Sequence, residues 1–255
     1  MILVIDIGNT NIVVGCIEGE HTYFIERMAT DRHRTELEYA ITLKNVLELY
    51  GISPEDISGG IISSVVPPLT MCIRHAAEKL LHKKVKVVGP GLKNGLRIKT
   101  DNPAQLGSDQ VVNAVAALAQ FKPPLVIVDM GTATTVSVIN QESAYIGCLI
   151  MPGLGIATES LVSRTAQLTK ISLEAPKKLI GSNTIDCMKS GAVFGHAAAI
   201  DGVATRIEEE LGSECTVVAT GGLAGLVVPF CKRKIILEDD LLLKGLQIIY
   251  HKNIS

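Results

Sequence analysis

The sequence contains no tryptophan, and aromatic residues make up only 4% of its 255 residues. Acidic and basic side chains nearly balance, with a formal net charge of −2, so no general attraction to nucleic acid or to an anionic membrane is expected. No apolar run approaches the roughly 18 residues of a membrane span. The first residues lack a basic leader and reach Asp6 early, which argues against a secretory signal. We therefore expect a cytoplasmic protein without nucleic-acid or membrane partners.

Several common site motifs are also missing. The six cysteines are scattered and form no CxxC pair, so neither a zinc site nor a disulfide scaffold is predicted. We expect them to be small buried hydrophobic residues. The chain has neither GxxxxGK[ST] nor a GxGxxG that opens a βαβ unit. These absences argue against P-loop and dinucleotide-binding proteins.

The sequence is instead rich in aliphatic residues, and its 47% hydrophobic content is typical of buried strands covered by helices. Its length allows one large domain or two smaller ones. Lys122-Pro123-Pro124 is the best candidate boundary, which predicts domains over residues 1–122 and 123–255.

Hydrophobic periodicity and turn residues predict the order of the elements. The predicted strands lie near residues 2–5, 13–17, 59–66, 85–88, 125–128, 145–151, 216–219 and 235–237. The predicted helices lie near residues 35–50, 69–81, 109–121, 156–162, 184–211 and 239–250.

One pattern occurs twice. LVIDIGNTNIVV at the N-terminus resembles VIVDMGTATTVSV in the second half, since each is an apolar strand, an Asp-x-Gly turn, small polar residues and a second strand. Such self-similarity indicates an internal duplication in which each half begins with the same hairpin.

The Asp-x-Gly turns suit phosphate chemistry. A tight turn presents several N–H groups, glycine lets a phosphate oxygen approach, and an aspartate holds a cation against the phosphates. One such turn can be only a hairpin, but two predict a cleft that holds a nucleotide polyphosphate from both sides. Gly221 and Gly222 would let the nucleoside lie against backbone, although an ordinary strand–helix turn has the same pattern.

Asp109 is the candidate catalytic residue because it follows Leu106-Gly107-Ser108 immediately before an apolar helix. In a kinase, an aspartate there can accept the proton of the substrate hydroxyl and orient its oxygen toward the phosphorus. The alternative is a structural helix cap formed by Ser108 or Asp109.

Eight motifs occur in the order found in one family: DIGNTN at 6–11, GPGLKNG at 89–95, NPAQLGSD at 102–109, DMGTATT at 129–135, PG at 152–153, SRTAQL at 163–168, GSNT at 181–184 and ATGGLA at 219–224. Together they resemble the type III pantothenate kinases of the actin/hexokinase/Hsp70 superfamily over nearly the whole chain. The resemblance implies an α/β fold, a two-lobed actin-like ATPase (ribonuclease H-like) with duplicated mixed-sheet domains, in a homodimer. The implied reaction uses ATP to convert pantothenate to 4′-phosphopantothenate, the first step of coenzyme A synthesis.

The resemblance also implies roles for individual residues. The segment that would line the ATP phosphates consists of Asp6, Ile7, Gly8, Asn9, Thr10, Asn11, Ile12 and Val13, and Thr132 would contact ATP phosphate. Asp6 would lie on the Mg²⁺ side, and Asp129 would hold the monovalent cation, K⁺ or NH₄⁺. The implied pantothenate site consists of Gly107, Ser108, Asp109 as proton acceptor, Gln110, Thr100 and Thr184 from the other subunit.

The chain departs from the family pattern at three positions. Gln110 replaces a common arginine, Thr100 a common tyrosine and Asn94 a threonine. Without that arginine, the positive charge that meets the substrate carboxylate must come from elsewhere, for which Lys93, Lys99 and Arg164 are candidates. Two alternatives stay open: a kinase of the same superfamily with another small alcohol as acceptor, and a nucleotide-binding regulatory homologue without turnover, against which the presence of Asp109 argues.

Overall fold

The computed structural model describes residues 1–254, which form an α/β fold with two mixed sheets. The strands are β1 (Ile2–Ile7), β2 (Asn11–Glu18), β3 (His21–Ala29), β4 (Gly60–Ser64), β5 (Val85–Val87), β6 (Arg97–Ile98), β7 (Leu125–Met130), β8 (Ala133–Ile139), β9 (Ala144–Pro152), β10 (Thr216–Thr220) and β11 (Ile236–Leu237). The α-helices are α1 (Glu36–Leu49), α2 (Pro67–Leu81), α3 (Ser108–Gln120), α4 (Leu154–Arg164), α5 (Thr184–Leu211), α6 (Ala224–Val227) and α7 (Leu241–His251).

The chain divides into two compact units that are not simple halves of the sequence. The first contains residues 1–96 and 102–116 and the chain from Leu241 onward. The second contains residues 97–101 and 117–240.

The sheet of the first unit has the strand order β3-β2-β1-β4-β5. Strand β1 is antiparallel to β2 and parallel to β4. Because successive side chains point to opposite faces, the sheet has two buried faces. Leu3 and Ile5 pack with α1 and α2, whereas Ile2 and Val4 pack with α3 and α7. Helix α3, which contains the candidate catalytic residue Asp109, packs on this second face, called the α3/α7 face below.

The sheet of the second unit has the order β11-β10-β7-β8-β9-β6. Strand β7 is antiparallel to β8 and parallel to β10, so the strands from β9 to β11 repeat the order of the first sheet. Ala197, Ile200 and Ala204 of α5 pack against one face of this sheet. This repetition confirms the predicted duplication of mixed-sheet units.

Local sequence signals set the helix ends. Thr35 and Glu38 form a capping box at the start of α1, in which the Glu38 carboxylate accepts from the Thr35 amide at 2.7 Å. Two prolines occupy the first turn of α2, where no N–H is needed. Gly212 ends α5 with φ +65°, a conformation that favours glycine.

The predicted helices and strands are confirmed, with ends that shift by a few residues. The sequence patterns missed the two-residue strand β6, the short helix α6 and one long element, strand β3. It lies at the edge of its sheet with a largely solvent-exposed pattern and carries Glu26 and Arg27. Such a strand lacks a long apolar run, because only Phe24 is fully buried.

The expectation of buried cysteines holds only for Cys16. It is wrong for Cys148 and Cys187, which are exposed. Cys148 lies on the exposed stretch of β9, and Cys187 faces outward from the first turn of α5. Across residues 1–254, no helix is long and apolar enough to cross a membrane, and no group of three or more His, Cys, Asp or Glu residues could hold a metal ion.

Candidate active site

The first Asp-x-Gly turn connects β1 and β2 in the first unit. Asp6 pairs with Val13 of β2 and with Ser63 of β4. Two hydrogen bonds hold the backbone of the turn: the Gly8 amide donates to the Asn11 carbonyl at 3.0 Å, and the Thr30 hydroxyl donates to the Gly8 carbonyl at 2.6 Å. The residues that follow Gly8 are exposed, as a phosphate-binding turn requires. The whole predicted segment from Asp6 to Val13 therefore lies in one hairpin.

Arg32 adds a positive charge beside this turn. Its guanidinium Nη2 donates to Asn9 Oδ1 at 3.3 Å. Sequence reasoning missed this residue, because Arg32 reaches the turn only through strand β3, which was not predicted. A guanidinium group near a turn of neutral donors is well suited to a phosphate ligand.

Asp109 lies in the first turn of α3. Its Oδ1 accepts from the Gln110 amide at 2.8 Å. A Cβ at Gly107 would overlap Asp109 Oδ1, so glycine leaves room for the carboxylate to fold back toward the helix start. Burial raises the pKa of Asp109, and the neighbouring backbone N–H groups partly oppose that increase. A partly buried carboxylate with a raised pKa is a better proton acceptor than an ordinary aspartate.

The first unit brings this helix start close to the strand that carries Asp6. Ser108 Oγ lies 3.0 Å from Ser63 Oγ, and Ser63 is the in-register neighbour of Asp6. The end of β1 therefore lies close to the start of α3, which contains the predicted residues Gly107, Ser108, Asp109 and Gln110.

The second Asp-x-Gly turn connects β7 and β8 in the second unit. Asp129 pairs with Thr135 of β8 and with Thr220 of β10. Gly221 follows Thr220 with φ +96°, and a Cβ there would lie 2.6 Å from Asp129 Oδ1 and 2.7 Å from the Met130 backbone. Glycine is thus required for the loop after β10 to lie against Asp129.

Other predicted residues gather at this second turn. Thr132 is exposed at its tip, and its carbonyl lies so close to Gly153 that a Cβ there would overlap it. Gly222 is exposed and comes directly after Gly221, while the next amide, of Leu223, donates to the Met130 carbonyl at 3.2 Å. The second unit therefore brings together Asp129, Thr132, Gly221 and Gly222.

Thr100 and Thr184 lie on other elements of the second unit. Thr100 follows β6, and its hydroxyl oxygen is buried without a hydrogen-bond partner among the described residues. Thr184 begins α5 next to the cap residue Asn183, whose side chain accepts from the Asp186 amide at 2.9 Å. Thr184 also lines a largely apolar cavity of about 300 Å³ with residues of α4 and α5.

The candidates for the missing positive charge differ in their surroundings. Lys99 Nζ pairs with Glu142 Oε2 at 2.6 Å. The backbone of Lys93 is held by Asn253, whose side chain accepts from the Lys93 amide at 3.0 Å and donates to the Lys93 carbonyl at 2.7 Å. Arg164 is the last residue of α4. Of these three candidates, Lys99 therefore already has its charge paired with a carboxylate.

Comparison with known sequences gives one consistent family. The family model described as type III pantothenate kinase matches residues 2–206. A protein of Halalkalibacterium halodurans named type III pantothenate kinase is 44% identical over 254 residues, which cover 100% of both chains. One of the same name from Bacillus cytotoxicus is 45% identical over 253 residues, covering 99% of this chain and 97% of that protein.

Comparison with solved structures identifies the fold. MreB 5 of Spiroplasma citri bound to AMPPNP has a TM-score of 0.59 at 10% identity, and the match covers 99% of this chain and 97% of the other. Component A of the (R)-2-hydroxyglutaryl-CoA dehydratase of Acidaminococcus fermentans has a TM-score of 0.56 at 15% identity, with 98% and 96% covered. At these identities the likeness establishes the actin-like fold and nothing about activity.

Proposed function

The chain belongs to the type III pantothenate kinase family, and on that premise we propose that it transfers the γ-phosphoryl group of ATP to the hydroxyl group of pantothenate. The product is 4′-phosphopantothenate, in the first step of coenzyme A synthesis. The observation that carries the proposal beyond the family name is the location of Asp109, fixed at the start of α3 beside the end of the strand that bears Asp6. Since ATP is the phosphate donor, the proposal also places the protein in the cytoplasm.

In this reaction Asp109 orients the acceptor hydroxyl and takes its proton. Phosphoryl transfer depends mostly on positioning and on stabilising charge, so a fixed carboxylate that holds the attacking oxygen in line is sufficient. The carboxylate must be ionised to do so, and the raised pKa makes it more basic than an exposed aspartate. Gly107 and Gln110 would contact pantothenate from the same helix start.

The first Asp-x-Gly turn would bind ATP phosphates. Asn9 and Thr10 offer backbone and side-chain donors, Gly8 would let a phosphate oxygen approach the backbone, and Arg32 adds a charge next to Asn9. Asp6 cannot bind phosphate directly, since both are anionic, so it would hold the Mg²⁺ ion or its waters. The divalent ion, when bound, neutralises charge on the transferred group.

The second turn would hold the monovalent cation. Asp129 offers one carboxylate beside the hydroxyl-bearing Thr135 and Thr220, and hard cations such as K⁺ prefer such oxygen donors. A single carboxylate suits a singly charged ion. Thr132 would contact ATP phosphate. Gly221 would keep the loop against Asp129, and the open space beside Gly222 would let the nucleoside lie against the backbone.

We also propose a homodimer. The second unit exposes large apolar side chains, among them Ile150 at 71% and Ile180 at 80%. The partner is a second copy because the family resemblance implies a homodimer, and the exposed isoleucines are candidates for its interface. Sedimentation velocity should give a dimer, whereas a monomer at micromolar concentration would contradict this part of the proposal.

The test of the activity is ADP release by the purified protein with ATP and Mg²⁺, with pantothenate or with other small alcohols. We expect release that requires pantothenate and increases when K⁺ or NH₄⁺ replaces Na⁺. Release with another alcohol alone would indicate a different acceptor. ATP binding without release under any condition would indicate a regulatory homologue.

A further inference from the structure

Residues of strand β4 use all the hydrogen-bonding capacity of the Ser108 hydroxyl, at the first residue of helix α3. Ser108 Oγ lies 3.0 Å from the Ser64 amide nitrogen, which donates to it, and 3.0 Å from the Ser64 carbonyl oxygen, to which it donates. A third contact of 3.0 Å joins it to the Ser63 hydroxyl. A hydroxyl group has one hydrogen and two lone pairs. Because the Ser64 carbonyl takes the hydrogen, Ser63 is the donor in the third contact, and the Ser108 hydroxyl has no capacity left for a ligand.

Ser63 connects this helix start to the strand of Asp6. It is the in-register neighbour of Asp6 in the parallel pair of β1 and β4. Since side chains alternate between faces, Ser63 shares the α3/α7 face with Ile61, which packs in that core. Ser63 is 0% exposed, so its hydroxyl lies entirely within the protein.

Strand β4 is also held from its opposite side, by different bonds. The Thr70 hydroxyl of α2 donates to Ser64 Oγ at 2.8 Å, and the Val66 amide donates to the same oxygen at 3.2 Å. The end of β4 therefore has one set of hydroxyl bonds toward α3 and another toward α2. Only the first set leads to Asp109.

We propose that Ser63 is a positioning residue for phosphoryl transfer: by donating to Ser108 it fixes the first turn of α3, and with it the Asp109 carboxylate, at the end of β1. The proposal rests on the role of Asp109 as acceptor of the hydroxyl proton. A displacement of a catalytic group by about 1 Å costs about 100-fold in rate. Because loss of the Ser63 hydroxyl would let the Asp109 carboxylate move, we expect it to lower turnover more than ATP binding.

The experiment compares Ser63→Ala with Thr70→Val. Each variant removes one hydroxyl that binds the end of β4, but only Ser63 lies on the side of Asp109. We expect Ser63→Ala to lower kcat about 10- to 100-fold while the KM for ATP stays within about twofold. Thr70→Val should keep kcat within about twofold. Equal kcat values for the two variants would overturn the proposal, as would a loss in Ser63→Ala that appears only in the KM for ATP.

A double mutant separates this proposal from the function on which it rests. If Ser63 acts through Asp109, adding Ser63→Ala to Asp109→Asn should lower the residual single-turnover rate no further. A further loss of the same size as in the single variant would show that Ser63 acts independently and would overturn the proposal. Near-normal turnover by Asp109→Asn alone would refute the acceptor role, and this proposal with it.

A second substitution covers the case in which Ser63→Ala fails to fold. Ser63→Cys keeps a buried side chain with a weak donor at the same position. We expect its kcat to lie between those of the wild type and Ser63→Ala, or below the wild type by several-fold if the alanine variant cannot be measured. A cysteine variant with wild-type kcat would overturn the proposal.

Discussion

The two Asp-x-Gly hairpins use the same strand frame. Strands β1 and β7 have the same burial pattern, and each is antiparallel to the next strand and parallel to a later one. The turns differ in length, because Ile7 pairs with Ile12 whereas Met130 pairs with Thr134. The first turn is thus one residue longer, and it exposes more backbone before the second strand begins.

The larger difference lies at the end of the neighbouring parallel strand. In the first unit, the hydroxyl group of Ser63 and the backbone amide and carbonyl of Ser64 bind Ser108 at the start of α3, the helix that carries Asp109. In the second unit, Gly221 lets a loop backbone lie directly against Asp129. The same arrangement of strands therefore supports hydrogen bonds to a helix start in the first unit and a close approach of loop backbone to Asp129 in the second. Under the proposed function, the first copy would serve proton transfer and would bind ATP phosphates, and the second would serve the monovalent cation and the nucleoside.

The largest effect should come from removing the carboxylate of the first unit. Asp109→Asn should lower kcat by about 10²- to 10⁴-fold, since it removes the proton acceptor while keeping the side-chain shape. ATP affinity, measured by calorimetry, should be unchanged. Near-normal turnover would show that the first unit does not supply the base.

The corresponding change in the second unit should have a different result. Asp129→Ala should abolish the activation by K⁺, because it removes the one carboxylate proposed to hold that ion. The measurement is the initial rate over a K⁺ titration at constant ionic strength. If the variant keeps the wild-type response to K⁺, the cation site is not at this turn.

Glycine in the second unit should be needed for stability. Gly221→Ala adds a Cβ at φ +96° within 2.7 Å of the Met130 backbone, and it should lower the free energy of unfolding by about 2–4 kcal/mol. The matched control is Gly225→Ala in α6, where an added Cβ meets nothing within 4 Å. Urea unfolding should show little or no loss in the control, and a similar loss in both variants would refute the close-approach argument.

The smallest effect concerns pH. Because burial raises the pKa of Asp109, the acid limb of kcat/KM should lie above the value of about 3.9 of an ordinary aspartate. A carboxyl group whose pKa is raised by folding stabilises the fold at low pH and loses that contribution as pH rises. The Tm of Asp109→Asn minus the Tm of the wild type should therefore become larger between pH 4 and pH 7. A constant Tm difference would indicate that the Asp109 pKa is not raised.

Sequence patterns predicted most of this architecture because both hairpins are local and repeated. The Asp-x-Gly turns, their strands and the apolar helix that begins near Asp109 need only neighbouring residues to form. Strand β3 was missed because an edge strand with one solvated side needs no continuous apolar run. Without β3, no pattern could place Arg32 beside Asn9.

The contacts that position Asp109 could not be predicted in the same way. Ser63 and Ser108 are 45 residues apart in the chain and meet only after β4 has paired with β1 and α3 has packed on the sheet. The sequence suggested two local roles for Ser108, a helix cap and a substrate contact. Its hydroxyl instead bonds to a distant strand, which a local pattern cannot indicate.

The most direct test of the central claim is the identity of the product. The purified protein should be incubated with ATP, Mg²⁺, K⁺ and pantothenate, and the mixture analysed by mass spectrometry alongside the ADP formed. We predict 4′-phosphopantothenate in amounts equal to ADP. ADP without phosphorylated pantothenate, or bound ATP that is never consumed, would contradict the account.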